Sequence, residues 1–123
     1  MLLSDQLAWF LAANDFQVTT DFLPPEPDRL ACVYAADLEG VPNERGALMQ
    51  IVFRGPVKDG LALYDAARAE ALLRDFEGLF CEGGDYILRV KAESGPTALG
   101  ADARGRCEYS LEVRVWGCGS PAE

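Results

Sequence analysis

Apolar residues recur at helical spacing near the N-terminus of the chain. The residues that share one helix face there are Leu3, Leu7, Phe10 and Leu11. They predict a helix over about residues 5–13, because side chains three and four positions apart lie on the same side of a helix. Ser4 is the expected N-cap, and Asn14 is the expected C-terminal stop. The apolar face of this helix should pack on a sheet.

A second and longer helical pattern covers about residues 61–79, with Asp59 as the candidate N-cap. Its predicted buried stripe consists of Tyr64, Ala67, Ala71, Leu72, Phe76 and Leu79. The small alanine side chains would let this helix approach a sheet closely. Glu70 and Arg74 are four positions apart in the favourable order for an ion pair, which supports the helix by a few tenths of a kcal/mol.

Five short runs have the composition or alternation of β-strands. They cover residues 16–21, 30–36, 47–54, 86–91 and 107–116. In the third run, one face carries Ala47, Met49, Ile51 and Phe53. In the last run, one face carries Cys107, Tyr109, Leu111, Val113 and Val115, and polar residues alternate with them. This alternation is typical of an antiparallel sheet with one covered face.

Proline, glycine and polar residues separate these runs. Residues 23–29 contain three prolines and predict an extended connector. Gly55 and Pro56 are expected to end the third strand, and residues 82–85 form a turn. Polar loops are expected at 37–46, either as a long turn or as an arm that contacts a neighbour, and at 93–106. Residues 117–123 are expected to form a flexible tail.

The predicted element order is α-β-β-β-α-β-β, which fits an α+β domain. The simplest architecture is a mostly antiparallel sheet of about five strands with two helices packed on one face. The length of 123 residues suits one domain, which we place at residues 1–116.

The net charge and the absence of certain residue types exclude or disfavour several classes of function. The net charge of −9 disfavours binding to nucleic acid phosphates. The acidic residues either keep the protein soluble or form a surface along which DNA passes without binding. The chain has no histidine, so Ser-His and Cys-His catalytic pairs within one chain are excluded. The four cysteines contain no C-x-x-C pair, and we expect them to be structural free thiols.

Motifs for chemistry or membrane insertion are missing from the sequence. It has no phosphate-binding loop, no EF-hand and no run of 18 apolar residues, and its N-terminus lacks the basic region of a signal peptide. The 20 acidic residues make carboxylate pairs such as Asp75 and Glu77 inevitable, and a solvated face explains them best. We therefore expect a protein that is not an enzyme and that needs no cofactor or metal.

Two stretches of the chain resemble the tail terminator and minor capsid proteins of siphophages. The first is the strand-to-helix run IVFRGPVKDGLALYDAARAEALLRDFEGLF, and its matching positions are Arg54, Gly55, Asp59, Asp65, Ala66 and Leu72. The second is SGPTALGADARGRCEYSLEVRVW, and its matching positions are Pro96, Gly100, Asp102, Gly105, Arg106 and Tyr109. The resemblance covers about residues 46–116 and consists of turn, strand and helix patterns. The connector prolines and the two last cysteines have no counterpart in the family pattern.

The resemblance implies a structural role in the virion, assembled in the bacterial cytoplasm. Tail terminators form a ring, usually a hexamer, on the head-proximal end of the tail tube. The ring ends tube growth and offers a face to the head connector, while DNA passes through its lumen. The implied partners are therefore other copies of the chain, the tail tube protein and the neck. Another neck or tail-completion component and a monomeric acidic binding or inhibitor module are the alternative functions.

Charged residues near the predicted strands and loops are the candidate contacts of such a ring. For the contact with another subunit or the tube, the candidates are Arg54, Arg89, Asp102, Arg104 and Arg106. A solvated strand face is the simpler interpretation of these arginines. For a loop that faces the lumen or the next ring, the candidates are Asp37, Glu39 and Glu44.

Overall fold

A computed structural model of the chain describes residues 3–35, 47–74, 79–80 and 86–118, with backbone alone at 79–80, 86–88 and 118. The elements in chain order are α1 (Leu3–Ala13), β1 (Val18–Thr20), β2 (Leu30–Ala35), β3 (Ala47–Pro56), a 3₁₀ turn (Val57–Asp59), α2 (Leu61–Arg74), β4 (Leu79–Phe80), β5 (Tyr86–Ala101) and β6 (Arg106–Cys118). The loop predicted at 37–46 and the turn predicted at 82–85 lie outside the described residues.

The strands of the described residues form one sheet in the order β1-β2-β3-β6-β5-β4. β1 and β2 are parallel, and every other neighbouring pair is antiparallel. The α+β class with a mostly antiparallel sheet is therefore confirmed. The strand that the sequence pattern did not reveal is β4, which has only two residues.

Both helices contribute to the same hydrophobic core on one face of the sheet. The strand residues of this core include Ala47, Met49, Ile51, Phe53, Leu111, Val113 and Val115. The predicted inward faces of β3 and of the last strand are confirmed at these positions, because side chains two apart in a strand point to the same side. From α1 the core takes Leu3, Leu7 and Leu11, also as predicted.

Helix α1 begins earlier than the capping pattern suggested. It starts at Leu3, so Ser4 lies inside the helix and is buried, and the prediction of Ser4 as N-cap is wrong. At the other end, the Asn14 side-chain amide donates a hydrogen bond to the Phe10 carbonyl at 2.9 Å. Asp15 follows with a positive φ of 69°, so the chain leaves the helix where the sequence predicted.

Helix α2 ends at Arg74, and Leu79 already lies in β4, so the prediction that the helix reaches residue 79 is wrong. Gly60, with a φ of 64°, precedes the helix, and Asp59 belongs to the 3₁₀ turn instead of capping α2. The buried residues of the helix are Ala62, Asp65, Ala66, Ala69 and Leu73. Of the predicted stripe, Tyr64, Ala67 and Ala71 are exposed, so the prediction is wrong at these positions. Leu72 packs against the core as predicted, and Phe76 lies outside the described residues.

The hairpin of β5 and β6 replaces the long loop predicted at 93–106. β5 continues to Ala101, and the loop is reduced to residues 102–105. Gly95 and Gly100 lie beside irregularities in the β5–β6 register and have φ values of 113°. Glycine at a bulge supplies a backbone conformation that other residues rarely adopt, so here it marks distortions of a strand and not its end.

Two further strand ends differ from the sequence prediction. β3 includes Gly55 and Pro56, which pair with Cys107 and Arg106 of β6. β6 reaches Cys118, so Gly117 and Cys118 belong to the sheet and not to the predicted tail. Residues 119–123 lie outside the described residues.

Candidate functional site

Four of the predicted contact residues lie together at one end of the sheet. Arg54 is near the end of β3, whereas Asp102, Arg104 and Arg106 form the β5–β6 turn and the first position of β6. The pairing of Pro56 with Arg106 and the hydrogen bond from Val57 N to Gly105 O, at 2.9 Å, bring the two segments together. We call this region the arginine end; it consists of residues 25–28, Arg54, residues 56–58 and residues 102–106.

Asp102 organises the turn of the arginine end. Its carboxylate accepts hydrogen bonds from the backbone of Arg104 at 2.9 Å, from the backbone of Arg106 at 3.1 Å and from Arg106 Nε at 2.8 Å. Loss of water raises the pKa of Asp102, but the hydrogen bonds from Arg106 and Arg104 outweigh this effect and hold the pKa below its ordinary value. Asp102 is therefore an anionic anchor for the turn.

The arginines of this region hold the proline-rich connector. Arg54 Nη2 donates to the Pro27 carbonyl at 2.6 Å, and Arg104 Nη1 donates to the Pro25 carbonyl at 3.2 Å. Arg106 donates to the same Pro25 carbonyl. Backbone carbonyls of a connector need partners when the segment packs on the fold, and guanidinium groups supply several donors at once. The arginines thus supply the hydrogen-bond donors that these connector carbonyls need.

Ion pairs add to this clamp. The Glu26 carboxylate accepts a hydrogen bond from Arg104, and the hydrogen bond and charge of Arg104 lower the pKa of Glu26. Burial lowers the pKa of Arg54, which is only 3% exposed, and the nearby positive charge of Arg106 acts in the same direction. Arg54 and Arg106 are therefore used inside the subunit, whereas Arg104 remains half exposed. The predicted contact role fits the exposed Arg104 best.

A cavity of about 480 Å³ opens at the arginine end. It is lined by Asp28, Pro56, Val57, Lys58, Arg104, Gly105 and Arg106. Lys58, Arg104 and Arg106 carry positive charges, but Arg104 is paired with Glu26, and Arg106 is paired with Asp28 and Asp102. Lys58 is the cation of the lining that has no ion pair with another described residue. Such a cavity can receive an acidic group together with an apolar one, since Val57 is an exposed apolar side chain at its wall.

Arg89 lies apart from this cluster. Its guanidinium carbon is 4.8 Å from the centre of the Trp116 ring, a cation–π arrangement between β5 and β6. The predicted loop residues Asp37, Glu39 and Glu44 lie outside the described residues. The structure therefore brings four of the predicted contact residues together and places Arg89 elsewhere in the sheet.

Sequence reasoning missed a second charged cluster, between α2 and the start of β2. Arg29 donates through Nε and Nη2 to both oxygens of Asp65, which is buried. This hydrogen bond raises the pKa of Arg29. Arg68 lies over the Phe16 ring at 3.8 Å and donates to the Asn14 carbonyl. The signal was available: Asp65 occupies the apolar stripe formed by Ala62, Ala66, Ala69 and Leu73.

The described residues offer little that resembles a reactive centre. No group of three or more cysteine or acidic residues among them is placed to hold a metal ion. Cys32 is buried and Cys107 is partly buried, and both are free thiols. Burial, and then a hydrogen bond with the Cys32 thiol, raises the pKa of Tyr34 to about 12, so this phenol stays neutral at physiological pH. In the described part of the chain, no helix is long and apolar enough to span a membrane.

Comparisons of the chain with known protein families, curated proteins and solved structures find no match.

Proposed function

We propose that this protein is a structural subunit of a tailed-phage virion, of the tail terminator type. Copies of the chain form a ring on the head-proximal end of the tail tube, stop tube growth and present a joining face to the neck. DNA passes through the lumen of the ring, and the subunit makes or breaks no covalent bond. The tail tube protein and the neck connector are its partners.

The observation that carries the proposal is the meeting of the two stretches on which the family resemblance rests. Arg54 and Gly55 of the first stretch are about fifty positions away from Gly105 and Arg106 of the second. In the structure, Gly55 pairs with Cys107, and Val57 N donates to Gly105 O. Two soft motifs that form one structural unit are more specific together than either is alone.

Three motif positions in this unit have a structural reason. A Cβ atom on Gly55 would lie 3.0 Å from the backbone nitrogen of Ala62, so glycine lets the first turn of α2 lie against β3. Asp102 binds the backbone of the β5–β6 turn, and Gly105 has a φ of 76°. These three residues therefore hold the architecture of the unit, which is the kind of role that the proposed function requires of them.

The physics of ring assembly agrees with a chain of this kind. A tube grows because the end of each ring repeats the surface that the next ring binds, and a terminator must fit that end without reproducing it. Contacts repeated around a ring act together, so each one can be weak. A net charge of −9 disfavours adhesion of DNA to the lumen. Asp37, Glu39 and Glu44 are the carboxylates that we propose for the lumen or the next ring.

The test is electron microscopy of phage produced without this protein. We expect filled heads without tails, together with tubes of irregular length. Normal virions would refute the proposal. Heads that remain unjoined while the tubes have normal length would instead indicate another neck component. A one-to-one complex with a single basic partner, and no self-association, would indicate a monomeric acidic binding module.

A further inference from the structure

The turn after β1 presents an aromatic side chain and a carboxylate to solvent. Phe22 is 66% exposed, and Asp21 beside it is exposed too. The turn is held in place, because Asp21 N donates to Val33 O at 3.0 Å and Thr19 Oγ1 donates to Phe22 O at 2.7 Å. Because the backbone of the turn is already fixed, little backbone entropy is lost when a partner covers the Phe22 ring, which favours its use as an interface anchor. We call Asp21 and Phe22 the aromatic knob.

The cavity at the arginine end has the complementary chemistry. Val57, 51% exposed, and Pro56 give it an apolar wall. The ammonium group of Lys58 makes no hydrogen bond or ion pair with another residue of the described ranges and is exposed. Arg104, half exposed, presents a guanidinium group that can lie over an aromatic ring. The cavity is thus able to hold a ring and to neutralise an adjacent carboxylate.

We propose that the aromatic knob of one copy of this chain docks into the arginine-end cavity of the next copy. Phe22 would pack against Val57 and Arg104, while Asp21 would pair with Lys58. The large exposure of Phe22 means that it does not fill the cavity of its own subunit. The inference rests on the proposed ring function and names the surfaces by which neighbouring subunits meet.

Charge complementarity selects a second copy as the occupant. The cavity contains the exposed cation Lys58, which has no ion pair with another described residue, and the knob contains the exposed carboxylate of Asp21. A knob that enters the cavity of the next copy, repeated in one direction, is a heterologous contact that can close into a ring, as the proposed function requires. The local attraction must overcome the mutual repulsion of subunits with a charge of −9 each, which keeps free subunits apart at low concentration.

The experiment measures self-association by sedimentation velocity at high protein concentration, with and without tail tube protein. Phe22→Ala and Lys58→Glu are each expected to weaken association by about tenfold or more, the size of an interface anchor effect. The double variant Asp21→Lys with Lys58→Glu, which exchanges the two charges, is expected to regain association to within about threefold of the unmodified chain. Thermal melts of every variant confirm that it is folded.

Matched controls are available in the same chain. Lys91 is the other lysine, also exposed, and Lys91→Glu changes the net charge by the same amount as Lys58→Glu. Trp9 is an exposed aromatic residue on α1, and Trp9→Ala is the control for Phe22→Ala. Both control variants are expected to associate like the unmodified chain.

Four outcomes separate this inference from the proposed function. Weaker self-association of the two single variants, together with recovered self-association of the charge-exchange variant, supports the docking. Rings that form equally well in all variants overturn the docking and leave the proposed function standing. A chain that never self-associates, even with tube protein present, overturns both. Docking through the knob, combined with tubes that are not capped, supports the inference and refutes the function.

Discussion

Arg29 binds Asp65 side-on: its Nε and Nη2 atoms lie 2.8 Å and 2.7 Å from the two oxygens of the carboxylate. Asp65 is buried on α2, and Arg29 immediately precedes β2. Arg68 Nη2 lies 3.7 Å from the same carboxylate. A parallel, two-point contact is the strongest form of an arginine–carboxylate pair, so it ties the connector to the long helix.

Arg29→Ala should lower the free energy of unfolding by about 1–3 kcal/mol, because it leaves the buried Asp65 carboxylate without its two-point partner. Urea denaturation measures this change. The control is Arg74→Ala, which removes the exposed pair with Glu70 and should cost only about 0.3–0.5 kcal/mol. Equal costs for the two variants would show that the Arg29 contact is not formed in solution.

The phase of α2 can be tested with two large side chains on opposite faces. Leu73 is 2% exposed in the core, whereas Tyr64 is 58% exposed. Leu73→Ala should cost about 2–5 kcal/mol through lost packing and the cavity it leaves. Tyr64→Ala should change the stability by no more than about 0.5 kcal/mol. A larger loss of stability for Tyr64→Ala than for Leu73→Ala would contradict the observed phase of α2 and favour the stripe predicted from the sequence.

The sequence correctly predicted the elements in which no charged residue interrupts the buried apolar face. Along β3 and β6, every second residue is apolar and faces the core. The strand type and the face that is buried could therefore be predicted from the pattern. Helix α1 was found to within two residues. The core therefore follows from local periodicity wherever burial and hydrophobicity coincide.

The predictions for α2 and for the β5–β6 hairpin were wrong because a charged residue is buried in the first and the strand is irregular in the second. Asp65 lies in the buried stripe because Arg29, 36 positions earlier, neutralises it, and no local window contains this partner. The sequence predicts a loop at Gly95 and Pro96, but β5 continues past them as a distorted strand because it pairs with the long strand β6. The sequence also could not reveal the partners of Arg54 and Arg106 inside the subunit, because the connector that they bind is distant in sequence.

Gly95 is predicted to be the least replaceable glycine of the hairpin. A Cβ atom there would lie 2.6 Å from the Ser110 carbonyl oxygen, which is too close, and the φ of 113° is unfavourable for any other residue. Gly95→Ala should therefore lower the melting temperature clearly. Gly100 has the same φ but open space around it, so Gly100→Ala should show the backbone strain alone, about 1–3 kcal/mol. A Gly95→Ala variant as stable as Gly100→Ala would contradict the close approach of β5 and β6.

The arginine end should make stability depend on pH in the acidic range. The folded pKa values of Glu26 and Asp102 lie below the ordinary values of 4.5 and 3.8. Their stabilising effect is therefore complete above those values and is lost as the pH falls through the lower folded pKa values. The double variant Glu26→Gln with Asp102→Asn should show a flatter decline of stability in that range than the unmodified chain. Parallel declines, followed by circular dichroism, would show that these carboxylates are not paired in the folded protein.

The most direct measurement of the central claim is electron microscopy of tail tubes polymerised in vitro with and without this protein. With the protein present, we expect tubes that stop growing and carry a ring of additional density at one end only. The same tubes should bind heads, and tubes without the protein should not. Tubes that keep growing with bare ends at saturating amounts of the folded protein would contradict the claim.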